Sequence, residues 1–133
     1  MSHENVELVR RSIAAYNSRD FETLQELNHP DIEVDWSASV GPEPGIYRGH
    51  EQVADFYKSF LNMFDRVQLV PDRFIESGDS VVVPNAAQLR GRDGIRTVAR
   101  STLVFELRGG RIARIRLYQE TAEALEAVGL WDG

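Results

Sequence analysis

The chain has 133 residues, 42 % of them apolar, no cysteine, and 15 Lys+Arg against 21 Asp+Glu for a net charge of −6. Two domains would each fall near the size where a core becomes marginal, so one domain over residues 1–133 is expected, able to house two Trp, four Tyr and six Phe without a metal or a disulfide. The lack of cysteine excludes a zinc ribbon, a thiol nucleophile and an iron-sulfur cluster, and an acidic chain with no dense Lys/Arg run is a poor partner for nucleic acid.

Met1-Ser2-His3-Glu4-Asn5 has neither the basic nor the apolar segment of an export signal, and the apolar runs are too short to span a bilayer. A cytoplasmic protein with no membrane partner is expected. From Ser2 to Ser18, Val6, Val9, Ile13 and Tyr16 recur at spacings of three and four, which predicts an amphipathic helix. Asp20 can cap a second, short helix whose Phe21, Leu24 and Leu27 share a face and which Asn28-His29-Pro30 ends. Ile32 to Ser37 alternates apolar and polar residues, as a half-buried strand does, with Ile32, Val34 and Trp36 facing inward.

Gly41-Pro42-Glu43-Pro44-Gly45 must be a loop leading to Tyr47-Arg48-Gly49. A third helix then carries Val53, Phe56, Tyr57, Phe60, Leu61 and Phe64 on its apolar face. Four long strands follow: Val67 to Glu76, Ser80 to Arg90, Thr97 to Leu107 and Arg111 to Gln119, separated by tight turns that predict consecutive antiparallel pairing. Thr121 to Val128 is read as a final helix stopped by Gly129. This order gives an α+β fold in which a curved antiparallel sheet wraps three N-terminal helices as a cone with an interior pocket. Alternation along Thr97 to Leu107 turns Ala99, Ser101, Leu103, Phe105 and Leu107 inward. Val98, Arg100, Thr102, Val104 and Glu106 then form an outer face suited to a homodimer.

The chain resembles the SnoaL-like branch of the nuclear-transport-factor-two-like superfamily, which is related to ketosteroid isomerase, limonene epoxide hydrolase and the polyketide cyclases. Carriers of the resemblance are Glu4-Asn5-Val6 to Tyr16-Asn17-Ser18-Arg19-Asp20, His29-Pro30-Asp31-Ile32, and Tyr47-Arg48-Gly49-His50-Glu51 running into Phe56-Tyr57. Phe105 to Ile112 and Glu123 to Leu130 complete it. It implies a cone-shaped, cystatin-like α+β barrel, usually homodimeric, that takes a small hydrophobic molecule and needs no cofactor or metal.

The chemistry implied by the relatives maps incompletely. One register of the first strand puts Trp36 at the isomerase's general-base position and a register one residue away puts Asp35 there. Alternation favours Trp36, leaving Asp35 as a solvated outward carboxylate. Helix one carries Ser12 where the isomerase has its tyrosine, with Tyr16 a turn later, and Ser101 or Leu103 falls where the acidic donor belongs. Arg100-Ser101-Thr102 lacks the aspartate of the epoxide hydrolase. Tyr57, in a Gly-x-Glu-Gln-x-Ala-x-Phe-Tyr stretch similar to the isomerase, carries over best.

Asp35 and Tyr57 are thus the catalytic candidates. Tyr16, Trp36, Asn85, Ser101, Leu103 and Gln119 are the ligand-binding candidates, the polar ones because an inward polar group needs a partner, a water or a ligand. His29 and His50 are read as helix-boundary residues. Two functions follow: a binder of a hydrophobic metabolite with acid-base chemistry of the isomerase or cyclase kind, or a non-catalytic ligand-binding or dimeric interaction protein. Neutral inward positions favour the second.

Overall fold

The structure is a computed structural model that describes residues 2–130. Helix α1 (Ser2–Asn17) buries Val9, Ser12, Ile13 and Ala15. It is followed by a reversal in which Arg19 takes φ 57° and the Asp20 amide donates to the Ala15 carbonyl at 2.8 Å. Asp20 caps α2 (Phe21–Leu27) as expected, its carboxylate accepting from the Thr23 amide at 3.1 Å and the Thr23 hydroxyl at 2.7 Å.

Strand β1 (Asn28–Asp35) begins four residues before the alternating stretch and leaves Trp36 just past its end. A three-residue strand β2 (Ile46–Arg48) precedes α3 (Gly49–Asn62). The sheet continues with β3 (Phe64–Pro71), β4 (Ile75–Ser77), β5 (Ser80–Gly91), β6 (Arg96–Arg108) and β7 (Arg111–Tyr118), and α4 (Thr121–Ala127) follows. Gly129, at φ 80°, ends that helix in the left-handed conformation that costs glycine little.

The strands form one curved, unclosed sheet in the order β2-β1-β7-β6-β5-β3, with β4 beside β5. Three features differ from the sequence expectation. The stretch from Val67 to Glu76 is not one strand, because Pro71 lacks a ladder donor and the chain breaks between β3 and β4. The approach to α3 pairs as β2 against β1 instead of remaining a loop. Finally, β1 runs parallel to β7, a pairing that needs a long crossover and obtains it from the chain between them. The long strands pair antiparallel as expected.

The main core lies between α1–α3 and the concave face, with Ile32, Val34, Val53, Val81, Val83 and Ile112 at 0–2 % exposure. On the convex face α4 seats Ala124 against Val82 and Val104 as a second, smaller core. The Thr102 and Thr121 hydroxyls meet there at 2.7 Å. Among the described residues no helix is long and apolar enough to cross a membrane.

Candidate functional site

Between the helices and the concave face of the sheet is a hollow of about 440 Å³, within the range of small-molecule sites. Strand alternation explains its sheet wall. The paired rows Phe105–Ile115, Leu103–Leu117, Asn85–Ser101, Ala87–Ala99 and Leu89–Thr97 are successive inward positions, and all of them border the hollow. Exposure increases along this series: Leu103 and Asn85 are buried, Ala87 and Leu89 are intermediate, and Ala99 and Thr97 are exposed. The latter rows therefore mark the mouth.

Aromatic rings from the helical side form the opposite wall. The Trp36 indole meets Phe56 at 5.7 Å and Phe60 at 6.4 Å between ring centroids, both near edge-to-face, while Tyr16 and Tyr57 meet edge-to-face at 5.3 Å. Burial raises the pKa of the Tyr57 phenol. Burial and the neighbouring Tyr57 raise that of Tyr16, partly offset by Arg19. Both therefore remain neutral hydroxyls, able to donate or accept a hydrogen bond, across the physiological range.

Tyr16, Trp36, Tyr57, Asn85, Ser101, Leu103 and Gln119 all border the hollow. Gln119 is at its rim, where its Nε2 donates to the Ala38 carbonyl at 2.8 Å and ties the loop after β1 to the end of β7. The catalytic candidate Asp35 is not brought there. Register turns Glu33 and Asp35 to the convex face, where β7 presents Arg114 and Arg116 opposite them.

The Asp35 carboxylate accepts from the Ser37 hydroxyl at 2.6 Å and the Ser37 amide at 3.1 Å. It lies 3.5 Å from Arg116 and 3.9 Å from Arg114, and Arg114 also reaches Glu33 and Glu106. Asp35 is 6 % exposed, so the expected solvated carboxylate is a buried one enclosed by partners. Desolvation pushes its pKa up, but the Ser37 hydrogen bonds and the guanidiniums of Arg116 and Arg114 outweigh it and hold the pKa below the usual value.

The segment Ser39–Pro42, with Val40 90 % exposed, borders the hollow, a position that sequence reasoning missed. Its Gly and Pro content marks a loop but not where the loop folds. Ser12, Leu24, Val67 and Leu69 also border the hollow, and their heptad and alternation positions could have shown this. Arg100 lies at the rim, its side chain 75 % exposed and 4.0 Å from Asp72. His50 Nε2 lies 3.1 Å from the Asn28 carbonyl at the start of α3, and His29 Nδ1 accepts from the Asp31 amide at 3.0 Å; neither borders the hollow.

Residues 9–115 match the SnoaL-like domain. The chain belongs to that family. Similar solved structures include an NTF2-like protein of unknown function from Burkholderia pseudomallei K96243, 25 % identical over 95 % of this chain and 98 % of that one, with a TM-score of 0.78. TerC, crystallised with polyporic acid, is 24 % identical over 94 % and 97 % of the two chains, with a TM-score of 0.78. RV0760c from Mycobacterium tuberculosis, in complex with estradiol-17beta-hemisuccinate, is 17 % identical over 88 % and 94 %, with a TM-score of 0.77. Among curated proteins none matches the sequence. These solved structures share the helix-and-sheet frame of this chain, and the chemistry of the hollow has to be argued from its own side chains.

Proposed function

We propose that this SnoaL-like chain binds a small, largely apolar, uncharged molecule in the hollow. The observation that carries the proposal is the distribution of charge. Inward positions of β5, β6 and β7 offer aliphatic groups, Asn85 and Ser101, with Gln119 at the rim, whereas Asp35 is held by Arg114 and Arg116 on the other face. Burying an ionised ligand group with no counter-charge is costly, and Arg100 directs most of its side chain to solvent at the rim. Fold relatives crystallised with polyporic acid and with an estradiol hemisuccinate lend the fold, though not this site, a precedent for organic ligands.

Titration calorimetry with 2-naphthol and with 2-naphthoate tests the proposal. The neutral probe is expected to bind at least tenfold more tightly, and Ala87→Phe, which fills the hollow, abolishes binding. Preference for the carboxylate, or binding unaffected by Ala87→Phe, contradicts it.

The Tyr16–Tyr57 pair favours a second reading, an isomerase- or cyclase-type enzyme in which the Tyr57 hydroxyl donates to a developing oxyanion while the substrate proton passes to water, since no carboxylate or histidine is among the described residues that border the hollow. Turnover of a β,γ-unsaturated ketosteroid that is lost in Tyr57→Phe would establish it. Absence of turnover leaves the binding reading. We also propose that the chain pairs with a second copy through the convex face, where Val70 and Val98 lie on the same side of the sheet and are 38 % and 59 % exposed. Sedimentation of the wild type as a dimer and of Val98→Glu as a monomer is the expected result, and a monomeric wild type contradicts it.

A further inference from the structure

Asn85 is 3 % exposed and stands directly opposite Ser101 in the β5–β6 pair. Its Nδ2 donates to the carbonyls of Val83 at 3.3 Å and Ser101 at 3.4 Å. Both partners can only accept, so turning the amide over would set Oδ1 against two carbonyl oxygens. The orientation of the amide is therefore fixed by its neighbours. Oδ1 is left buried with no hydrogen-bond partner in the protein, in a residue that borders the hollow. Ser101 borders the hollow from the facing strand and does not satisfy it.

An orphaned buried acceptor costs free energy until a donor reaches it. The residue lies midway along the sheet wall, between the closed Val83–Leu103 row and the more open Ala87–Ala99 row. Asn85 therefore borders the hollow between its closed end and its mouth.

We propose that Asn85 Oδ1 determines ligand specificity by accepting a hydrogen bond from a hydroxyl or N–H group on the ligand. The proposal rests on the binding reading above and narrows it to uncharged molecules that carry a donor on an otherwise apolar frame. A ligand of the same shape without that donor leaves the acceptor unpaired, whereas one that carries it satisfies Oδ1, so the site discriminates between the two. Leu69 and Leu103, also on the sheet wall, offer apolar surface and no competing donor.

The test compares 2-naphthol with 2-methoxynaphthalene, which differ in the capped hydroxyl, by titration calorimetry on the full chain. Wild type is expected to favour 2-naphthol about tenfold or more. In Asn85→Leu the preference falls below twofold. The side-chain carbonyl-carbon NMR signal of wild-type Asn85 provides a readout that does not depend on a variant folding: it moves downfield with 2-naphthol, as a hydrogen bond accepted by Oδ1 requires, and not with the ether.

Equal affinity of the wild type for the two probes, or a preference that survives Asn85→Leu, overturns the inference and leaves the binding reading standing. Failure of both probes to bind the wild type overturns both.

Discussion

Replacing Asp35 by alanine is expected to destabilise the fold and leave ligand binding unchanged. The side chain is 9 % exposed, receives two hydrogen bonds from Ser37 and lies 3.5 Å from Arg116 and 3.9 Å from Arg114. Hydrogen bonds to an ionised group contribute about 1.5–3 kcal/mol where they are dry. Here Ser37 is exposed and the two arginine side chains are 35 % and 42 % exposed, so water replaces part of what is lost. Arg114 also keeps Glu33 and Glu106. A net loss of about 2 kcal/mol follows, equivalent to a fall in melting temperature of roughly 8 °C for a chain of this size.

The pH dependence has a definite sign. The folded pKa of Asp35 lies below its ordinary value, so the stabilisation is fully present above about pH 4 and disappears as the pH falls through the folded value. Thermal unfolding of the wild type and variant should therefore differ at neutral pH and converge in strong acid. Titration of both proteins with 2-naphthol should give affinities within twofold. An unchanged melting temperature together with lost binding would refute the reasoning, because it would place the carboxylate in the hollow.

Tyr16 and Tyr57 have raised pKa values, so the stability they contribute is intact below the ordinary phenol value of about 10 and is lost as pH rises above it. Spectrophotometric titration should show their phenolates appearing only together with unfolding. Trp36→Ala removes ring contacts with Phe56 and Phe60 and should lower both stability, by about 2 kcal/mol, and 2-naphthol affinity, read by denaturant melts and calorimetry. Ile112→Ala, at a site with 0 % exposure that does not border the hollow, should cost about 3 kcal/mol with affinity unchanged. Asp20→Ala, which removes the α2 cap, should lower the unfolding midpoint in the same melts.

Much of the sheet wall was legible in the sequence because strand alternation is a strict local rule. Asn85, Ala87, Leu89, Ser101, Leu103, Ile115 and Leu117 follow from period two alone, and the structure places all of them around the hollow. The same rule set Trp36 and Asp35 on opposite sides. What it could not show was the environment outside. Asp35 is buried because β7 runs parallel to β1 and aligns Arg114 and Arg116 with Glu33 and Asp35, a pairing between residues 81 positions apart in the chain. The break after Pro71 was legible in principle, since proline cannot continue a ladder, but the apolar pattern on either side hid it. The position of Ser39–Pro42 beside the hollow depends on tertiary anchors, among them the Gln119 bond to Ala38 and the Tyr47 hydroxyl donating to the Glu43 carbonyl at 2.8 Å. No local pattern encodes them.

NMR chemical-shift mapping of the wild type titrated with 2-naphthol tests the binding account most directly. The account predicts perturbations at the Trp36 indole N–H and at the amides of Ser101, Leu103 and Leu117, saturating together. Perturbations confined to Glu33, Arg114 and Arg116 on the convex face, or no saturable change anywhere, would contradict it.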